Sequence, residues 1–89
     1  MARLELGFGG TIEQGLLAGG ADGLFELGLL YSSGREVPAD MVTAHKWFNL
    51  AALRGNEAAK HYRMDLAREM TKAQIAAAQK LAREWLRSN

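Results

Sequence analysis

The chain has 89 residues, a formal net charge of +1 and no cysteine. That length makes one small domain, and the lack of cysteine excludes a disulfide framework, a thiolate zinc site and a cysteine nucleophile. No stretch approaches the roughly 18 apolar residues of a membrane span, and the opening MARLELGFGG lacks a basic start and a long apolar run, so the expectation is a cytoplasmic protein without a secretory signal.

Charge is unevenly spread. Residues 1–40 carry Arg3 and Arg35 against six carboxylates, a net −4, whereas residues 41–89 carry nine cations against Glu57, Asp65, Glu69 and Glu84, a net +5. Such a split can steer a charged partner or bring two copies together head to tail. The plainer reading is ordinary solvated helix faces.

Seven of the ten glycines lie at or before Gly23, and each raises the entropy cost of ordering the chain. Residues 1–20 therefore read as a glycine-rich tail. Within it, Thr11 followed by Gln14 matches a capping box that would open a short helix through Leu17. The first firm helix is expected from about Ala21 to Ser32, where Leu24, Leu27, Gly28 and Tyr31 share one face. A glycine inside a helix costs up to about 1 kcal/mol against alanine, so Gly28 implies close approach of a second helix. Gly34 suits the C-cap, Pro38 blocks continuation, and Asp40 suits the next N-cap.

The second helix, from about Met41 to Arg54, places Met41, Ala44, Phe48 and Ala51 on one stripe, widened by Trp47 and Ala52. Large rings alternating with alanines let ridges sit in grooves. A third helix, about Glu57 to Met70, aligns Ala59, Tyr62, Leu66 and Met70. Thr71 with Gln74 forms another capping box, opening a fourth helix in which Ile75, Ala78, Ala82 and Trp85 line up. The fold class expected is all-α. Gly19 and Gly55, each preceding a helix start, lie 36 residues apart, and self-similarity on that scale marks stacked helical hairpins, a short α-solenoid.

Residues 21–56 closely resemble a Sel-one-like repeat, a relative of the tetratricopeptide repeat. The residues that carry the likeness are Ala21, Gly23, Phe25, Leu27, Gly28 and Tyr31 in the first helix and Gly34, Val37, Pro38 and Asp40 in the loop. Ala44, Trp47, Phe48, Ala51, Ala52 and Gly55 complete it in the second helix. Two departures stand out. Glu36 takes the place of the loop's usual second glycine, which predicts a tightened or strained turn. Beyond Gly55 the pattern decays, with Arg63 and Met64 where Leu-Gly would recur, so residues 57–89 are expected to form a capping hairpin. The repeat covers about 40% of the chain.

The resemblance implies an adaptor that presents a preformed helical surface to a protein partner, without enzymatic activity, cofactor or metal. Family members use the surface of their first helices, which points to Glu26 and Leu30 on the first helix and His61, Asp65 and Arg68 on the third. Each has the alternative of a solvated face residue. A homo-oligomer or a place in a larger assembly follows from the short repeat length and the charge split.

The residues themselves offer no catalytic constellation. His45 and His61 lie on different helices, far from the i, i+4 spacing of a helical metal pair and from any nucleophile turn. His45 reads as a boundary residue of its helix. Gly7-Phe8-Gly9-Gly10-Thr11 lacks the Gly-Lys and Ser/Thr of a Walker loop, and Ile12 breaks the dinucleotide pattern. The alternative function is a nucleic-acid accessory using Lys60, Arg63, Arg68, Lys72, Lys80, Arg83 and Arg87. Against it stand Asp65, Glu69 and Glu84, with Glu69–Lys72 and Lys80–Glu84 expected to pair at helical spacing. Trp47 is expected in the core, and Trp85 to cap it.

Overall fold

The computed structural model describes residues 20–88. The expectations for residues 1–19, namely the glycine-rich tail, the Thr11 capping box and the Gly7–Thr11 loop, lie outside the described residues. Among the described residues there are four helices and no strand: α1 (Ala21–Ser33), α2 (Met41–Leu53), α3 (Glu57–Ala67) and α4 (Lys72–Ser88).

Helix ends follow local chemistry closely. At the end of α1, Gly34 adopts φ +72°, the left-handed conformation that closes many helices and that a Cβ disfavours. The loop then returns so that the Asp40 N–H donates to the Tyr31 carbonyl at 2.9 Å. Asp40 caps α2: its carboxylate accepts from the Thr43 N–H at 3.1 Å and the Thr43 hydroxyl at 2.8 Å. No described residue other than glycine has positive φ. Glu36 is therefore accommodated without the left-handed strain expected of it, because Gly34 makes the turn.

The close of α2 is a Schellman turn. The Asn56 N–H donates to the Ala51 carbonyl at 3.0 Å and the Gly55 N–H to Ala52 at 3.1 Å, with Gly55 at φ +105°. Asn56 then serves the next helix, its side-chain oxygen accepting from the Ala59 N–H at 2.9 Å. Its amide also donates to Asp22 at 3.2 Å, tying the start of α3 to the start of α1.

α3 ends at Ala67 rather than Met70. Glu69 and Met70 donate only three residues back, to Leu66 and Ala67 at 3.0 and 3.1 Å, the tight geometry of an unravelling last turn. What stops the helix is the cap of the next one. Thr71 Oγ1 accepts from the Gln74 N–H at 3.1 Å while Gln74 Oε1 accepts from the Thr71 N–H at 2.9 Å, a reciprocal capping box.

α2 is the central element, and α1, α3 and α4 all pack against it. Ala44, His45, Trp47, Phe48, Leu50 and Ala51 are buried on it, a wider girth than the single stripe expected, because neighbours press on several sides. Leu50 lies outside that stripe yet is fully buried, as are Leu24 and Phe48. Burying each such side chain stabilises the fold by about 1.5–3 kcal/mol. At Gly28, α1 approaches Phe48 of α2 closely. A Cβ added there would collide with Phe48 Cδ1 and Cε1 and stand 2.9 Å from its Cγ. On α4, Ala78 and Ala82 are buried and Ile75 and Trp85 half-buried, the stripe read from the sequence. Trp85 meets Trp47 edge to face, centroids 5.9 Å apart and planes at 83°, a favourable arrangement for two rings.

Candidate interaction surface

Three rings join α1, α2 and α3. Phe25 lies 5.7 Å from Phe48 and 5.2 Å from Tyr62, and Phe48 lies 5.5 Å from Tyr62, centroid to centroid. Phe48 is buried, but Tyr62 keeps 46% of its surface exposed. The cluster therefore supplies an apolar floor on which Tyr62 stays partly open to solvent. Above it lies a cleft of about 340 Å³, lined by Ser32 of α1, Phe48 of α2, and Tyr62, Asp65, Leu66 and Glu69 of α3 and the turn after it. Its walls are acidic and its floor is aromatic.

A second cleft, of about 300 Å³, lies along α1 and the loop after it. Glu26, Leu29, Leu30, Ser33, Arg35 and Glu36 line it. Leu29 and Leu30 are half-buried and pack against the edge of the core that holds Leu24 and Leu27.

The five residues singled out from the sequence divide between these places. Glu26 and Leu30 share the α1 cleft. Asp65 lines the cleft between α1 and α3, and Arg68 reaches it at 2.7 Å, an exposed pair worth little in stability. His61 is exposed on α3 and lines neither cleft. Sequence reading missed Tyr62 as a surface residue, having assigned it to the apolar stripe of α3. It does lie on that stripe, and nothing local signals that it stays partly open to solvent.

His45 is a correction. Expected at a boundary, it is 3% exposed, and its Nδ1 has no hydrogen-bond partner among the described residues. Burial pushes its pKa below the ordinary 6.5, and the nearby Arg63 charge pushes the same way. Arg63 is held by a 2.7 Å hydrogen bond to Asn49. A neutral imidazole packed on the central helix is the result. The Trp47 indole Nε1 is likewise buried without a partner among the described residues.

The ion pairs also differ from expectation. Lys60 pairs with Glu57 at 3.4 Å and Arg68 with Asp65, whereas Glu69–Lys72 and Lys80–Glu84 form no salt bridge. Glu69 and Lys72 fall on opposite sides of the break between α3 and α4, so helical spacing does not apply to them. Among the described residues no three His, Asp or Glu side chains gather as a metal-binding group, and no helix is long and apolar enough to cross a membrane. Compared with protein-family models, curated proteins and solved structures, the chain matches none of them.

Proposed function

We propose that this chain is a non-enzymatic adaptor of the Sel-one-like type, with residues 21–56 as one repeat, α3 and α4 as its cap, and the cleft between α1 and α3 as the docking groove for a protein partner. The observation that carries the reading is that cleft: an aromatic floor of Phe48 and Tyr62 beneath the carboxylates of Asp65 and Glu69. An apolar base with a polar rim is how protein-binding grooves are built, and exposed aromatic rings in such places often dominate affinity. The likeness to the repeat is supported by the close approach at Gly28, by the left-handed Gly34 and Gly55, and by the ring contact of Phe25 with Tyr62 that joins α1 to α3.

The partner surface that fits is a segment with an apolar side chain for the floor and basic groups for the walls. A photo-crosslinking amino acid at position 62, compared with one at position 77 on the exposed side of α4, tests the groove. Adducts to a protein from position 62 alone are expected. Equal adducts from both positions, or from position 77 alone, would move the docking surface elsewhere.

A further inference from the structure

The outward face of α4 carries a charge pattern that the groove leaves unused. At 3.6 residues per turn, Lys72, Lys80, Arg83 and Arg87 fall within an arc of about 80° and spread along roughly 22 Å of helix. All four are exposed. Among the described residues none of them makes an ion pair. Between them on the same arc sits Ala76, also exposed, so nothing bulky interrupts the row.

The carboxylates that sequence spacing sets among these cations do not neutralise them. Glu69 lies before the helix, in the turn that follows α3. Glu84 falls about 40° outside the arc, and its charge acts on Lys46 of α2. Burial pushes the Lys46 ammonium below its usual range and Glu84 opposes that push. Glu84 forms no ion pair with Lys80 or Arg87, and the cations face solvent.

We propose that the outer face of α4 binds the phosphate backbone of duplex nucleic acid. A row of unpaired cations along one helix matches a row of phosphates, and a helix about 10–12 Å across fits a major groove roughly 12 Å wide. A lipid surface suits it less, because a helix that lies in a bilayer interface needs a free apolar face. The main apolar face of α4, with Ala78 and Ala82 buried and Trp85 on Trp47, is packed on α2. The exposed Leu81 and Leu86 flank it on opposite sides, about 140° apart, and form no continuous apolar face.

The test is fluorescence anisotropy of a labelled 20-base-pair duplex of mixed sequence, titrated with the full chain at several salt concentrations. Four phosphate contacts predict a slope of log K against log salt of about −3.6, so binding weakens roughly 150-fold between 50 and 200 mM. In the double variant Arg83→Gln, Arg87→Gln the slope should fall to about −1.8. Arg68→Gln serves as the control, since that guanidinium is held by Asp65 and the slope should not change. Both variants alter exposed side chains, and circular dichroism verifies that they fold. Absence of duplex binding at 50 mM salt, or binding indifferent to Arg83 and Arg87, overturns the proposal. So does binding to phosphatidylserine vesicles, or self-association in sedimentation, that depends on Arg83 and Arg87 while the duplex stays unbound.

Discussion

Replacing Gly28 with alanine sets two effects of known size against each other. Helix propensity favours the change by about 0.8–1.0 kcal/mol. Packing opposes it, because the new methyl would overlap two ring atoms of Phe48 and lie 2.9 Å from a third. The ring is 1% exposed and flanked by Phe25 and Tyr62 at 5.7 and 5.5 Å, so it cannot swing into solvent. Either α1 and α2 separate or the three-ring cluster shifts, an overpacking cost of about 1–3 kcal/mol. The net expectation is a loss of up to about 2 kcal/mol, which for a domain this small lowers Tm by up to roughly 8–16 °C. Thermal unfolding followed at 222 nm measures it. The decisive comparison is the same substitution in a Phe48→Leu background, where the ring is gone and Gly28→Ala should turn neutral or stabilising. A higher Tm for Gly28→Ala in the wild-type background would refute the close approach of the two helices.

Two further outcomes follow from the core. His45 has a folded pKa below its unfolded value, so the unfolded chain binds the extra proton. Its contribution to stability is complete above about pH 6.5 and declines as pH falls through that value to the folded pKa, with a slope of at most about 1.4 kcal/mol per pH unit. Urea denaturation between pH 8 and 5 should show this fall, and His45→Leu should lack it; an identical pH profile in the variant would mean the imidazole is not the group responsible. Trp85→Ala removes a half-buried ring from its edge-to-face contact with Trp47 and should cost about 2–3 kcal/mol, below the 3–5 of a fully buried tryptophan. An unchanged urea midpoint would show that α4 is held without it.

Much of the local structure was legible because it depends on neighbours in sequence. The Asp40 cap, the Gly34 and Gly55 turns and the Thr71–Gln74 box each need only three or four residues, and all are present as read. The Ile75, Ala78, Ala82 and Trp85 stripe needed only helical period. What escaped depends on three-dimensional neighbours. His45 reads as a boundary residue until α2 is seen to be the shared support of three helices. The end of α3 was set three residues too late because apolar Met70 fits its period, while the cap at Thr71 competes for the same backbone. Of the positions read as exposed, Asp65 is exposed, whereas Glu26 and Leu30 are half-buried where α1 meets its own cleft. Their division into separate hollows was not legible, since it depends on where the aromatic cluster of Phe25, Phe48 and Tyr62 comes to rest.

The central place of α2 also bears on how two surfaces of opposite character coexist on so short a chain. The acidic cleft, with Asp65 and Glu69, draws on α1, α3 and the turn after α3, while the basic row belongs to α4 alone. Both rest on α2, through Phe48 for the cleft and Trp47 for α4. These two rings are adjacent in sequence but about 100° apart around the helix, so they brace different neighbours. Had α4 carried its cations beside Asp65 and Glu69, the charges would have paired and both surfaces would have been neutralised. The early stop of α3 at Ala67 and the fresh start at Lys72 prevent this. The break that the capping box enforces takes Lys72 out of helical register with Glu69, leaving Glu69 and the basic row each free to meet a complementary charge, while Asp65 keeps its exposed pair with Arg68.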